Sequence, residues 1–217
     1  LYNPKRQMLG EEQEAWLQQA LQRSKARGAT WQVLGQQVLM GKLNIPVIPP
    51  EELAQLELSD YARPRVQQTQ QLAPYGLPSN LDAWDGYPAA RERLFAMLSA
   101  HATNPISLAG DTHNGWAFNL TNAQGEAVGV EWGTPGISSP GLENYVPLPP
   151  EQMQALLKGA SPELVACDTS QRGWTQVTLT PEAATAQWRF VSSVIEPNYE
   201  VSVGKPLATA RETRRLA

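Results

Sequence analysis

The chain has 217 residues, 41% hydrophobic and 18% charged, the balance of a folded globular chain and the length of one domain or part of a larger one. Seventeen basic residues against 21 acidic ones leave a net charge of −4 with no basic block, which argues against a nucleic acid held through its phosphates. No apolar run approaches the roughly 18 residues of a membrane span, and a single cysteine, Cys167, excludes an internal disulfide framework.

The sequence opens at Leu1 rather than a methionine and enters a helix almost at once, with no signal peptide ahead of it. The expectation is a chain separated from upstream sequence. Glu11 to Gly28 reads as an amphipathic helix. Ala15, Trp16, Gln19, Ala20 and Arg23 recur with a loose helical period, Leu17 and Leu21 lie on an adjoining face, and Gly28 supplies the stop. Trp31, Val33 and Leu34 then predict a short buried strand. The apolar content breaks at Gly35, which leaves Gln36 and Gln37 just past the strand end.

From Lys42 to Trp84 the chain is rich in Pro, Gln and Leu with weak periodicity, and predicts a long loop that is a lid, a binding loop or disordered. Pro88 suits a first helical turn, and Ala89 to Ala100 continues it with Leu94, Met97 and Leu98 on the apolar face. His101 falls on that helix. "PISLAG" reads as a buried strand, and "WAFNLT" and "AVGVEW" as a hairpin turned by "NAQGE". "TPGISSPGLENYVPLPP" is a proline- and glycine-built loop, followed by a helix from Pro150 to Lys158. "LVACDT", "GWTQVTLT" and "TAQWRFVSSV" follow as strands, the last two alternating through Trp174, Val177 and Leu179 and through Ala186, Trp188, Phe190 and Val191. The tail predicts one more short strand. Helix, strand, helix, strand and then an antiparallel run imply an α/β fold, with a mixed sheet or sheet sandwich and outer helices.

The strongest site candidate is "GDTHN", because it places Asp111 and His113 after a strand in a chain with only two histidines. In an extended backbone, side chains at i and i+2 point to one side, so a carboxylate and an imidazole would converge on one ion. Strand carboxyl ends in α/β layers are common site positions. Mixed oxygen and nitrogen donors suit zinc, iron or manganese, with calcium nearby. The plainer reading is a strand-ending turn. Asn114 donates to an anion beside the metal or forms an Asx turn. A closed site needs about four ligands per metal, and this chain offers one tight pair. Trp84 and Asp85 in "LDAWDGY" read as the rim of a pocket, or Asp85 as a helix cap. Gln36 and Gln37 orient a ligand or water, or satisfy loop backbone groups. Glu131 is either an acceptor behind a metal-bound histidine or a surface acid, and Cys167 a small core residue. No nucleotide-binding glycine loop, G-x-S-x-G elbow or C-x-x-C occurs.

The ordered set "MLGEEQEAWL", "WQVLGQQVLM", "LDAWDGYPAARERL", "LAGDTHNGWAFNL", "VEWGTPGISSPG" and "RGWTQVTLTPE" resembles the carboxyl-terminal half of the alkaline phosphatase D (PhoD-like) family, over roughly Gln7 to Val191. The resemblance implies a four-layer αββα metallophosphoesterase sandwich. It implies periplasmic or secreted phosphate-ester hydrolases that use iron and calcium. The family's "GD-x-H" step falls on Asp111 and His113, which implies metal ligation and a catalytic role there. "GQQV" and "WDGY" carry Gln36, Gln37, Trp84 and Asp85 along as site-wall residues. The family's amino-terminal half, with its other metal-ligand acids, is absent from residues 1–217, and Cys167 lies in the wrong region to replace the family's ligand cysteine.

The function expected is therefore metal-dependent hydrolysis of phosphate mono- or diesters, alkaline phosphatase or phosphodiesterase. This chain would supply part of the metal site and be inactive without the amino-terminal half as its partner. The rival is a non-catalytic β-rich binding or structural module. A chain separated from its other half is also expected to expose a sheet face or edge.

Overall fold

A computed structural model describes all residues from Leu1 to Ala217. The first sheet has five strands in the order β1-β2-β4-β3-β5. They are β1 (Gln32–Gly35), β2 (Pro105–Ala109), β3 (Gly115–Thr121), β4 (Ala127–Gly133) and β5 (Leu164–Asp168). β1, β2 and β4 run parallel, and β3 is antiparallel to both of its neighbours. The β3–β4 hairpin folds back so that β4 inserts beside β2. The second sheet is antiparallel: β6 (Arg172–Leu179), β7 (Ala183–Val191), β8 (Val201–Val203) and β9 (Leu207–Ala210), with β8 and β9 both pairing with β7. The tail thus forms two strands rather than one.

Three layers result. β3 shows why, because its side chains alternate. Trp116, Phe118 and Leu120 join a core with Leu94, Phe95 and Leu98 of helix α4 (Pro88–His101), Leu21 of α1 (Glu11–Ala26), and Met153 and Leu157 of α5 (Pro150–Ala160). Ala117 instead joins Ile106, Val130 and Trp132 against Ala184, Ala186, Trp188 and Phe190 of the second sheet. The predicted mixed α/β architecture is present. The far face of the second sheet carries no helix from this chain, and all of β8 is exposed.

Differences from the sequence reading have local causes. In α1 the buried face is that of Leu17 and Leu21, while Trp16 is 60% exposed. In β1, an edge strand, the buried residue is Gln32 and Val33 faces outward. The Gln32 Oε1 accepts the Thr103 and Asn104 amides at 2.9 and 3.2 Å. The expected 42–84 loop contains a single turn, α2 (Pro50–Leu53), and an eleven-residue helix, α3 (Ala62–Leu72). Ala62 and Val66, four apart, bury the inner face of α3.

Candidate functional site

β2 ends at Ala109, and the residues after it turn rather than extend. Asp111 has φ 67° and His113 φ 62°, both in the left-handed region that ordinary side chains rarely enter. The pleat argument for their convergence therefore fails. They nonetheless share one cavity, because the turn is tied down on both sides. The Gly110 amide donates to the Gln37 carbonyl at 2.9 Å. The Trp116 indole donates to the Thr112 hydroxyl at 2.6 Å, and the Gly136 amide to the His113 carbonyl at 3.0 Å. Non-glycine residues held in this region cost of order 1–3 kcal/mol each and persist where surrounding bonds over-determine them.

His113 Nδ1 lies 2.8 Å from the Pro140 carbonyl oxygen. A carbonyl only accepts, so Nδ1 carries the proton, and Nε2 is the ring nitrogen left to face a metal. Metal-bound histidines are oriented in this way. Asp111, exposed at the turn, lines the same cavity of about 500 Å³. A carboxylate and a free imidazole nitrogen are a fitting donor pair for a divalent or trivalent cation. The pair stands alone: no group of three or more His, Cys, Asp or Glu side chains in this chain is placed to hold a metal ion. Asn114, 1% exposed, also lines the cavity. Its Oδ1 accepts the Leu142 amide at 3.0 Å, and its Nδ2 has no partner.

The other candidates lie elsewhere. Gln36 does not line this cavity. Its Oε1 accepts the Trp84 indole N–H at 2.7 Å, and its Nε2 donates to Ser107 Oγ at 2.9 Å and to Glu131 at 3.3 Å. Gln37 acts on the site through its backbone carbonyl, while its side chain lies beside a separate groove with Thr134 and Trp174. Asp85 does not cap α4, whose first turn follows Tyr87 and has no side-chain cap. It accepts the Leu43 amide at 2.8 Å and shares with Asp111 and Thr112 a recess of about 30 Å³. Burial pushes the Asp85 carboxyl above the usual range, against the opposing pull of that bond and of Arg91.

Glu131 fits neither role read for it from the sequence. It is neither behind His113 nor on the surface. It is fully buried on β4 and accepts the Met40 amide at 2.9 Å, the Gly41 amide at 2.8 Å and the Ser107 hydroxyl at 2.7 Å. Burial raises its carboxyl above the ordinary range, opposed by those same donors. Next along, Lys42 donates to Glu163 at 3.2 Å, Leu43 to Asp85, and Asn44 to Ser161 Oγ at 3.0 Å. Five consecutive amides, 40 to 44, are thus held by side chains from four other places in the chain. Arg91, 1% exposed, completes the clamp: its Nε donates to the Met40 carbonyl at 2.6 Å and its Nη2 to Glu163 at 2.7 Å. The available signal was an arginine inside the apolar stripe of Ala90, Leu94, Phe95 and Leu98. Leu43, at the end of this clamped loop, is part of the cavity wall that holds Asp111 and His113.

A family model described as PhoD-like phosphatase matches residues 1–188. Alkaline phosphatase D of Bacillus subtilis (strain 168) is 30% identical over 205 residues, which cover 92% of this chain and 29% of the relative. A solved structure of PhoD is similar with a TM-score of 0.69 at 25% identity, over 99% of this chain and 36% of that one. The chain spans about a third of the length of these relatives. No helix is long and apolar enough to cross a membrane.

Proposed function

The chain belongs to the PhoD-like phosphatase family, and from that premise we propose that it forms one wall of a metal-dependent phosphoesterase acting on phosphate mono- or diesters. The observation that carries this reading is the Asp111–His113 turn. Two non-glycine residues are held at positive φ beside one cavity, with the imidazole Nε2 left free by the Pro140 bond. Glu212 and Arg214 also have positive φ in the tail, so what singles out the Asp111–His113 turn is its place on the cavity with a free imidazole nitrogen.

Asp111 and His113 are the residues that would hold the metal, with iron and calcium the ions expected from the family. Bound there, a metal supplies Lewis-acid polarisation of the phosphoryl oxygens and an acidified water. This chain's own residues do the positioning. The Pro140 carbonyl fixes the His113 tautomer, the Gln37 carbonyl anchors the turn at Gly110, and the Asn114 Nδ2 is free to donate to an oxygen of the bound ester. The remaining ligands come from the amino-terminal half, without which the chain is inactive. That assignment is supported by the lone ligand pair and by the third of the relatives' length that the chain spans. A periplasmic or secreted location belongs to the same proposal.

The test is metal analysis and nitrophenyl-phosphate hydrolysis of the enzyme assembled with its amino-terminal half. Asp111→Asn and His113→Ala are expected to lower metal content and turnover together. Retention of both by either variant refutes the site.

A further inference from the structure

The cavity that begins at Asp111 and His113 extends well beyond them. Its other wall is built by Ile45, Ile48, Val66, Met153 and Leu157, contributed by the 45–48 segment, α3 and α5. At about 500 Å³ it is the size of a small-molecule site rather than of a phosphate alone. Two of its polar side chains, Gln70 and Arg65, are committed elsewhere. The Gln70 Oε1 accepts the Ile48 amide at 2.8 Å and its Nε2 donates to the Pro46 carbonyl at 3.0 Å. Arg65, exposed, donates to the Tyr61 carbonyl at 2.9 Å and lies 3.7 Å over the Tyr61 ring, so its charge is held outward. The unmatched group is Asn114 Nδ2, buried between the Asp111–His113 turn and Leu142 with no acceptor. A buried donor without a partner is rare in a folded protein, and here it belongs to a residue of the cavity wall, beside Gly141.

We propose that this cavity is a subsite for the apolar alcohol part of the ester, an aryl or alkyl group, with Asn114 Nδ2 donating to an ester oxygen where the apolar wall meets the metal-ligand turn. The assignment rests on the phosphoesterase reading above and adds a substrate preference to it. Against the wall of Ile45, Ile48, Val66, Met153 and Leu157 a hydroxyl-rich alcohol would give up hydrogen bonds to water without replacement, whereas an aryl ring has none to give up.

The experiment compares 1-naphthyl phosphate with glycerol 2-phosphate as substrates of the assembled enzyme, and titrates 1-naphthol calorimetrically. The wild type is expected to favour the naphthyl ester in kcat/KM by about tenfold or more. Thr69→Trp, which fills the cavity from the half-buried side of α3, is expected to abolish that preference and 1-naphthol binding, with glycerol 2-phosphate turnover unchanged. Thr69→Val is the volume-matched control and keeps both. If Thr69→Trp does not fold, Val66→Ala serves instead and alters the naphthyl KM alone. Asn114→Asp keeps the acceptor for Leu142 and replaces the free donor by a carboxylate oxygen. It is expected to weaken both esters while leaving 1-naphthol binding intact. Hydrolysis of both esters at equal efficiency, with no 1-naphthol binding, overturns the subsite and leaves the phosphoesterase reading standing. Absence of all hydrolysis overturns that reading, while 1-naphthol binding lost in Thr69→Trp still supports the apolar pocket.

Discussion

Removal of the Glu131 carboxylate tests whether buried acids hold the loop beside the site. Three close donors converge on it: the Met40 and Gly41 amides and the Ser107 hydroxyl. In Glu131→Gln the side chain keeps its shape and one acceptor oxygen but loses its charge. A hydrogen bond to a charged acceptor is worth on the order of 1 kcal/mol more than a neutral one. Over these bonds, and offset by relief from burying a charge, the loss comes to about 2 kcal/mol. In Glu131→Ala the same donors are left buried without acceptors, at about 1–3 kcal/mol each before relaxation, for an expected total of about 4–5 kcal/mol. Against a typical stability of about 5–15 kcal/mol, the alanine variant is close to unfolding and the glutamine variant is not. Urea unfolding reads the difference as a shift in midpoint at constant slope. Hydrogen exchange then localises it: amides 40 to 44 lose protection in Glu131→Gln while those of β3 keep theirs. Equal losses in the two variants, losses below about 1 kcal/mol in both, or unchanged exchange at 40–44 would each refute the clamp.

Asp85→Asn retains an oxygen for the Leu43 amide but removes a carboxyl whose folded pKa is raised by burial. A raised carboxyl binds more proton in the folded state, so its contribution falls as pH rises from about 4 through the folded value. The variant is therefore expected to gain on the wild type in Tm between pH 4 and pH 8, and a gap that shrinks refutes the direction. Gly41 lies on the Phe118 ring, and an added Cβ would sit 2.2 Å from its Cγ. Gly41→Ala is expected to cost about 1–3 kcal/mol in urea unfolding, and a neutral result would show that the loop has room to move. Cys167 is buried, and its thiol is pushed up to about 12. A disulfide reagent at pH 8 is expected to label it only as fast as the fold opens, and labelling in native buffer at the rate seen in urea contradicts that.

Elements with strong periodicity were legible in the sequence. α4 was legible because Leu94 and Leu98 recur one turn apart after Pro88, and β7 because Ala186, Trp188 and Phe190 alternate, although Val191, read with them, falls off the buried face. α3 was not, because "ARPRVQQTQQL" buries only Ala62 and Val66 and so carries no visible stripe. β1 inverted its expected pattern because an amide side chain, Gln32, found backbone partners that a valine lacks. Resemblance singled out Asp111 and His113 together, whereas spacing did so only on an extended backbone that the turn does not adopt. The turn's geometry was not legible, because it depends on Pro140, Gly136 and Gln37 through bonds that span up to 73 positions, and no local pattern encodes them.

The acids near the cavity explain why so few ligands are available in this chain. A loop that leaves a parallel strand and crosses above the sheet exposes consecutive amides that no ladder satisfies. Here Glu131, Glu163 and Asp85 answer four of them, and Ser161 answers the next. Each of these carboxylates is committed to backbone donors, and Glu163 to Arg91 as well. Turning Glu131 toward a cation would strand the amides of Met40 and Gly41, both buried. Asp111 and His113 escape this commitment because their turn is anchored through its backbone, Thr112 and the His113 Nδ1, which leaves a carboxylate and one imidazole nitrogen free. Glu131, Glu163 and Asp85 thus hold the loop beside the site, and two uncommitted donor groups border the cavity.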